Sequence, residues 1–483
     1  MDLTLPRFVL AAERGSAGKT TLALGLLAAW RRQGRQCAAF KKGPDYIDPA
    51  WLSLASGRPC RNLDTFLMGE ETTARSFRER ALPDGVNLIE GARGLFDGVD
   101  SQGTFSTAEL AKLLRAPVVV ALDCTKRTRT AAAVAVGCRL LDDKVPVAGF
   151  ILNHLATARQ ERVVRGAVES ATGLKVFGAV PNLADPAFHE RHLGLTPPQE
   201  DSRASEAVDS AREVVEKYLD VEGLWRLAHE APPLAFEACS PRFSGSETGC
   251  QPVPPTPPEG GTTNDKPVIG YFHDAAFHFY YPENLEALEA LGARLVPVDA
   301  MRDKALPSPL HGLYIGGGFP EECAAALAAN ASMRASVKRA AEDGLPIYAE
   351  CGGLMYLGRG ILSRGASHDM AGVFPVTFQM DARPQGHGYI QAVSEAAHPF
   401  APAGTRMKGH EFHYSHPIDW DESAVTFALR LERGSGFAKG RDGLVHRNTF
   451  ATYVHVHALG EPWWAPAVVR RCAEYARFCS RPM

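Results

Sequence analysis

Between Arg7 and Leu224, short apolar runs alternate with longer stretches in which apolar residues recur every three or four positions. RFVLAA, CAAFKKG, VNLIEG, PVVVALD, VAGFILN and KVFGAVP are rich in aliphatic and β-branched residues and predict strands. Their apolarity is continuous, as expected of strands covered on both faces. The pattern therefore predicts an α/β domain with a doubly wound parallel sheet between helical layers. From 231 to 265 the periodicity gives way to Pro, Gly, Ser and Thr, which predicts a linker. The rhythm resumes at PVIGYFHD and continues through PENLEALEALG, RLVPVD, GLYIGGG and LPIYAEC, becoming more β-like after Gly372. The expected organisation is two α/β domains, 1–230 and 266–483, joined by the 231–265 tether and without an internal repeat.

The length of 483 residues agrees, since it exceeds what one hydrophobic core organises. A net charge of -3 excludes a broad basic field for nucleic acid, so an anionic ligand needs a local site. No apolar span suits a membrane helix, and the N-terminus lacks the order of a secretion signal, which makes the cytoplasm the expected compartment. Ten cysteines without a C-x-x-C pair argue against a zinc ribbon or a thioredoxin-type site.

The stretch VLAAERGSAGKTT follows the first strand and opens the first helical pattern. In the usual G-x-x-x-x-G-K-[ST] phosphate loop a glycine stands where Glu13 is found here. Arg14, Gly15, Ser16, Ala17, Gly18, Lys19, Thr20 and Thr21 nevertheless form a turn leading into a helix N-terminus, where backbone N–H groups attract phosphate. Lys19 can reach terminal phosphates, and the Thr20 hydroxyl can bind magnesium. Further along, FKKGPDYIDP, NLDTF and LIEGARGLFDG place Asp45, Asp48, Asp64, Glu90 and Asp97 after apolar strands. Acids at strand C-termini line the crevice in which open α/β sheets bind ligands. The alternative for any one of them is a helix cap or a turn.

In the second domain, LPIYAECGGLMYL places Cys351 between an apolar strand and two glycines, the sequence form of a strand-to-helix nucleophile turn. The following helix N-terminus is expected to lower its thiol pKa. Upstream, GLYIGGGFPEE offers the amides of Gly316, Gly317 and Gly318, which together with Gly352 could hold an oxyanion. Downstream, FATYVHVHALG reads as a strand with His455 and His457 on one face, either of which could act as base. In GHEFHYSH, His410, Glu411, His413 and His416 do not match the helical H-E-x-x-H spacing, so a zinc site is the minor reading.

GKTT, KKGPDYIDP, GRPCRNLD and EGARGLFDG, in this order, resemble the cobyrinic acid a,c-diamide synthase family of glutamine-dependent tetrapyrrole amidases. The resemblance implies an N-terminal dethiobiotin-synthetase-like P-loop domain that binds ATP, Mg2+ and the macrocycle. There a peripheral carboxylate is phosphorylated and then amidated. It implies ATP contacts at residues 14–21, Mg2+ at Thr20, Asp45 and Glu90, and substrate or acyl-phosphate contacts at Asp48, Asp64 and Asp97. The order G-G-G, Cys, His resembles a class I glutamine amidotransferase domain of flavodoxin-like fold. That likeness implies Cys351 as nucleophile and His455 as base, with oxyanion donors at Gly317, Gly318 and Gly352. The glutamate that completes the triad in many such domains has no counterpart by motif, which leaves a Cys–His dyad. GHEFHYS also occurs in the family, which implies a structural or macrocycle-facing role.

FKKGPDYIDPAWL, DAAFHFYYPENLEAL and RPQGHGY, with Lys42 in place of a small or apolar residue, look more like the sirohaem amidases than the cobyrinate enzymes. The expected ligands are therefore L-glutamine, ATP, Mg2+ and a tetrapyrrole, sirohaem by preference and cobyrinate as the alternative. A homodimer is the candidate assembly. A P-loop ATPase switch without synthase activity is the reading from another class, and a fused Cys351 domain disfavours it, because a switch has no use for a glutaminase.

Overall fold

A computed structural model describes residues 4–183, 190–191, 194–195, 197–198, 203–234 and 266–480. The predicted linker thus lies outside the described residues from 235 to 265. The chain divides into two compact units, Met1–Thr248 and Gly249–Met483. Among the described residues no helix is long and apolar enough to cross a membrane.

The first unit begins β1 (Arg7–Ala12), α1 (Lys19–Arg32), β2 (Cys37–Lys42), α2 (Ile47–Ser56), β3 (Arg61–Leu63), α3 (Thr65–Met68) and α4 (Glu70–Arg80). It continues β4 (Val86–Glu90), α5 (Thr107–Leu113), β5 (Val118–Asp123), α6 (Thr130–Leu140), β6 (Val147–Leu155), α7 (Ala158–Thr172) and β7 (Lys175–Pro181). Two-residue strands β8 (Glu190–Arg191) and β9 (Gly194–Leu195) precede α8 (Ala204–Tyr218) and α9 (Val221–His229). The seven long strands form one sheet in the order β3-β2-β4-β1-β5-β6-β7, paired in parallel throughout. β1, β2, β4 and β5 are buried along their whole length, as their unbroken apolar runs require. β3 was not predicted: three residues, RNL, carry too little pattern to announce a strand. The chain winds from β1 toward β3 on one side and from β5 toward β7 on the other, so the switch in direction falls at β1. The loop after β1 opens there, between the C-terminal ends of β4 and β5.

The second unit runs β10 (Val268–Phe272), β11 (Phe277–Phe279), α10 (Pro282–Ala290), β12 (Arg294–Val298), β13 (Gly312–Ile315), β14 (Gly317–Gly318), α11 (Ala324–Ala329) and α12 (Ala331–Glu342). After β15 (Ile347–Glu350) and α13 (Gly352–Leu357) come β16 (Gly360–Ser363), β17 (Ala366–Asp369), β18 (Thr377–Met380), β19 (Gly386–Ser394), β20 (Arg406–His413) and β21 (Ser415–Ile418). β22 (Thr426–Arg433), β23 (Arg441–His446), β24 (Thr449–Thr452) and α14 (Trp464–Cys479) complete it. The main sheet has the order β12-β10-β13-β15-β24-β23-β22-β19-β20. Its first five strands are parallel and its last four antiparallel. The parallel half answers to the flavodoxin-like expectation, and the antiparallel half is the β-rich C-terminal region. An isolated bridge between His410 and His455 folds the antiparallel arm back to the end of β24. β13, β15 and β24 are neighbours, so the glycine loop, the cysteine turn and the histidine segment all leave one end of adjacent parallel strands.

Candidate active site

In the first unit the predicted phosphate loop is a left-handed turn. Ser16 has φ 55° and Gly18 φ 86°, and Gly18 caps α1. A side chain at Gly18 would also meet the Asn153 amide nitrogen at 2.2 Å, so both the backbone angle and the close approach demand glycine. That amide donates to Ala17 O at 3.0 Å and braces the loop from the end of β6. Lys19 Nζ donates to Arg93 O at 2.8 Å and Arg14 O at 3.3 Å. Burial, followed by repulsion from Lys41, lowers its pKa to about 8.

Glu13, in the place of the usual glycine, points away from the loop and accepts from Arg127 at 2.7 and 2.8 Å. Arg14 pairs with Asp123, which also accepts from Thr125 and faces His154 Nδ1 at 3.2 Å. Arg14 is thus tied to the end of β5 while more than half of its side chain remains exposed beside the loop. Hydrogen bonds from Thr125, Arg14 and His154 outweigh desolvation and hold Asp123 well below the usual carboxylate range.

The acids divide by environment. Thr20 Oγ1 donates to Glu90 Oε1 at 2.7 Å, and Lys41 Nζ donates to the same oxygen at 2.9 Å. Lys41 also pairs with Asp48 and lies 3.9 Å from Asp45. Only 3% of Lys41 is exposed, and it was not singled out from the sequence. Its signal was a lysine inside a strand whose other positions are buried. Desolvation opposes its charge, but Asp48, Glu90 and Asp45 together raise its pKa well above the ordinary value. Burial raises the Glu90 carboxyl.

The structure joins Thr20 to Glu90 and gathers Glu90, Asp48 and, at 3.9 Å, Asp45 around Lys41. Asp45 Oδ1 accepts from the amides of Ile47 and Asp48, so it shapes the start of α2 and is not in contact with Thr20 or Glu90. Asp64 is a correction. It is fully buried and caps α3 by accepting from Phe66 N and Leu67 N at 2.9 Å, the structural role open to an acid at a helix start. Asp97 is exposed, accepts from Gly94 N at 2.8 Å and lies close enough to Lys19 to raise its pKa.

Magnesium takes oxygen ligands and is usually held by one or two carboxylates plus substrate phosphates. Thr20 and Glu90 fit that pattern, because Glu90 Oε2 is buried without a hydrogen-bond partner. No group of three or more His, Cys, Asp or Glu side chains forms a metal cage among the described residues.

In the second unit Cys351 sits between β15 and α13 with φ 47° and ψ -100°, a strained turn for a residue with a side chain. Its amide donates to Thr452 O at 2.7 Å, which ties the turn to the end of β24. Gly318 N lies 3.1 Å from where a Gly352 side chain would begin, so the glycine loop and the cysteine turn converge. A side chain on Gly317 would strike His455 Cε1 at 2.5 Å, so only glycine lets this loop pack against the ring. Gly316 N donates to the Tyr280 hydroxyl at 2.8 Å and is occupied by structure.

The expected lowering of the Cys351 pKa is corrected. Burial, then Glu321, Glu350 and Glu411, push the thiol well above its usual range, against the Gly352 amide that favours thiolate. The short α13 does not outweigh desolvation. Removing the proton therefore requires a base positioned for the moment of attack.

His455 Nδ1 faces Glu350 Oε2 at 3.2 Å, and its ring stacks on His410 at 4.9 Å. His457 packs instead on Tyr281, 4.5 Å between rings, and lies 3.8 Å from Glu283. Only β24 up to Thr452 is regular strand; beyond it the chain is extended and the two histidines diverge. Beside the expected Cys–His dyad a buried carboxylate stands behind His455, that of Glu350, immediately before Cys351. A motif keyed to residues after the histidine misses it. The only signal was a charged residue closing the apolar run PIYAE.

The GHEFHYSH side chains do not gather round one point. His410 Nδ1 faces the Tyr281 hydroxyl at 3.3 Å, while His413 stacks on Tyr453 and contacts Ser415 O at 2.9 Å. Glu411 accepts from Ser435 N and Gly436 N, and His416 pairs with Asp381.

Residues 8–192 match the family model of the CobQ/CobB/MinD/ParA nucleotide binding domain, and residues 268–463 match that of the CobB/CobQ-like glutamine amidotransferase domain. The chain is 41% identical, over 99% of both sequences, to a protein of Magnetococcus marinus named cobyrinate a,c-diamide synthase. A protein of that name from Syntrophotalea carbinolica is 38% identical over 97% of this chain and 99% of its own. Another from Methanothermobacter thermautotrophicus is 38% identical over 97% of this chain and 100% of its own.

Proposed function

The chain belongs to the cobyrinate a,c-diamide synthase family, and we propose that it is an ATP-dependent, glutamine-hydrolysing ligase that amidates acetate side chains of cobyrinate. The observation that carries this reading is the 41% identity to a cobyrinate a,c-diamide synthase across both units. The sirohaem preference rested on short motifs. The relatives' shared name supports cobyrinate instead, which becomes the substrate adopted here.

In the second unit the Cys351 thiol attacks the carboxamide carbon of glutamine while its proton passes to His455. The amides of Gly318 and Gly352 face the developing oxyanion. The C–N bond breaks, ammonia leaves with the proton returned by the imidazolium, and water hydrolyses the thioester to glutamate. In the first unit the amides after Gly15 and the Lys19 ammonium receive the phosphates of ATP. A substrate carboxylate oxygen attacks the terminal phosphorus, the bond to the bridging oxygen breaks, and ADP leaves as the acyl phosphate forms. Ammonia then attacks that carbonyl carbon, and phosphate leaves.

Substrate and ATP are both anionic, so the first unit must offset repulsion. Lys41 holds Asp48 and Glu90 in place and limits the negative charge they present. Thr20 and Glu90 would hold Mg2+, which would supply the remaining positive charge between the two anions. Incubation with ATP, Mg2+, glutamine and either cobyrinate or sirohaem, followed by product mass, tests the reading. Replacement of OH by NH2 on cobyrinate alone is expected, whereas amidation of sirohaem alone would reverse the assignment.

A further inference from the structure

The carboxylate at Glu350 is costly to bury, and its partners are His455, the Tyr314 side chain and the Val456 amide. Its place at the end of β15 is 1% exposed, and its negative charge lies beside the Cys351 thiol, where it disfavours thiolate. A neutral side chain would avoid both penalties. What the carboxylate touches explains its presence: Oε2 is 3.2 Å from His455 Nδ1, and Val456 N approaches Oε1 at 3.5 Å. The opposite edge of the His455 ring, Cε1 and Nε2, packs toward Gly317 on the loop that reaches Gly352.

We infer that Glu350 is the positioning residue of the glutaminase site: it accepts the Nδ1–H of His455 and so directs Nε2 toward the glycine loop and the cysteine turn. The role rests on the glutaminase reading of Cys351 and His455. Glu350 faces Nδ1, and the buried His410 stacks on the ring and in turn feels His455, His457 and His387. Burial raises the Glu350 carboxyl against the contact with His455, and of the two groups at the ring only Glu350 can carry the negative charge that favours the imidazolium formed when Cys351 gives up its proton. The burial that keeps Cys351 protonated at rest makes that contribution necessary. The proton moves only from Sγ to Nε2, and Glu350 keeps its own charge throughout. This third member comes from the residue before the nucleophile, so one strand end supplies both nucleophile and orienting acid. β24, its parallel neighbour, leads to the base between them.

The test uses the full chain with Glu350→Gln and Glu350→Asp, assayed for glutamine hydrolysis across pH and for amidation with ammonium chloride in place of glutamine. Glu350→Gln is expected to lower kcat/KM for glutamine by about 10²- to 10⁴-fold, the range seen when an orienting acid is neutralised. The acid limb of its pH profile should move to lower pH, because no negative charge then stands beside the protonated ring. Glu350→Asp should recover part of both effects, and ammonia-dependent amidation should be unchanged. Unaltered glutamine hydrolysis in Glu350→Gln overturns the inference. So does an equal loss of the ammonia-dependent reaction, which would make Glu350 a folding residue, or a rate loss with an unmoved pH profile. Cys351→Ser run in parallel separates the two claims: if it still hydrolyses glutamine the glutaminase reading fails, whereas failure of the Glu350 variants alone leaves that reading standing.

Discussion

In the first unit the Lys41 ammonium stands against Asp45, Asp48 and Glu90 before any ligand arrives, whereas in the second a thiol and an imidazole are buried beside carboxylates. The difference follows from the reactions. Phosphoryl transfer begins and ends with anions, so its site must carry positive charge at rest and hold the acids that will accept metal. Thioester formation begins with neutral partners and creates charge only in passing, so its site can be buried and neutral until a base in the right orientation draws the proton.

Substitutions that divide the two activities break this comparison most sharply. Cys351→Ser is expected to lower glutamine-dependent product formation by about 10⁴-fold or more while sparing the ammonia-dependent reaction, measured on the same preparation. Lys19→Ala should lower both reactions alike, by about 10³-fold, because phosphoryl transfer precedes either source of nitrogen. If Lys19→Ala spared the ammonia-dependent reaction, the phosphate loop would not be the activating site.

Stability offers a second contrast. Lys41→Met leaves Asp48 and Glu90 without their ammonium, and breaking a buried pair in this way costs about 3–5 kcal/mol, to be read from denaturant unfolding. Burial raises the Glu90 carboxyl even with the lysine present, so the variant without that ammonium should regain stability as pH falls. In the second unit burial raises Asp442 from 3.8 to about 7 in the native protein. The folded state then binds a proton that the unfolded chain releases between those values. Stability is expected to fall as pH rises from about 4 to about 7, and Asp442→Asn should flatten that slope. The smallest effect belongs to Asp64→Ala, which removes the cap of α3. A loss of about 1 kcal/mol with unchanged activity is expected, and a large activity loss would return Asp64 to the substrate site.

Legibility differed between the units for the same reason. Lys19, Thr20, Asp48 and Glu90 follow strand ends in recognisable runs, because a parallel sheet delivers each strand C-terminus to one crevice. Asp45 and Asp64 stand in the same kind of run yet serve helix starts, a distinction that depends on which amides lie within reach. In the second unit the glycine loop, the cysteine turn and the histidine were each visible, but only the order of β13, β15 and β24 shows that they meet.

The alternation of apolar runs and helical patterns was enough to establish two α/β units, a phosphate loop and a nucleophile turn, because these depend on local periodicity and on glycine at strained backbone. Tertiary structure alone decided that Lys41 neutralises the acids and that Glu350 stands behind the ring of His455, the histidine the family likeness had already implied as base. Those choices depend on which side chains share a dry interior, where an unpaired charge costs several kcal/mol and a partner can come from anywhere in the chain.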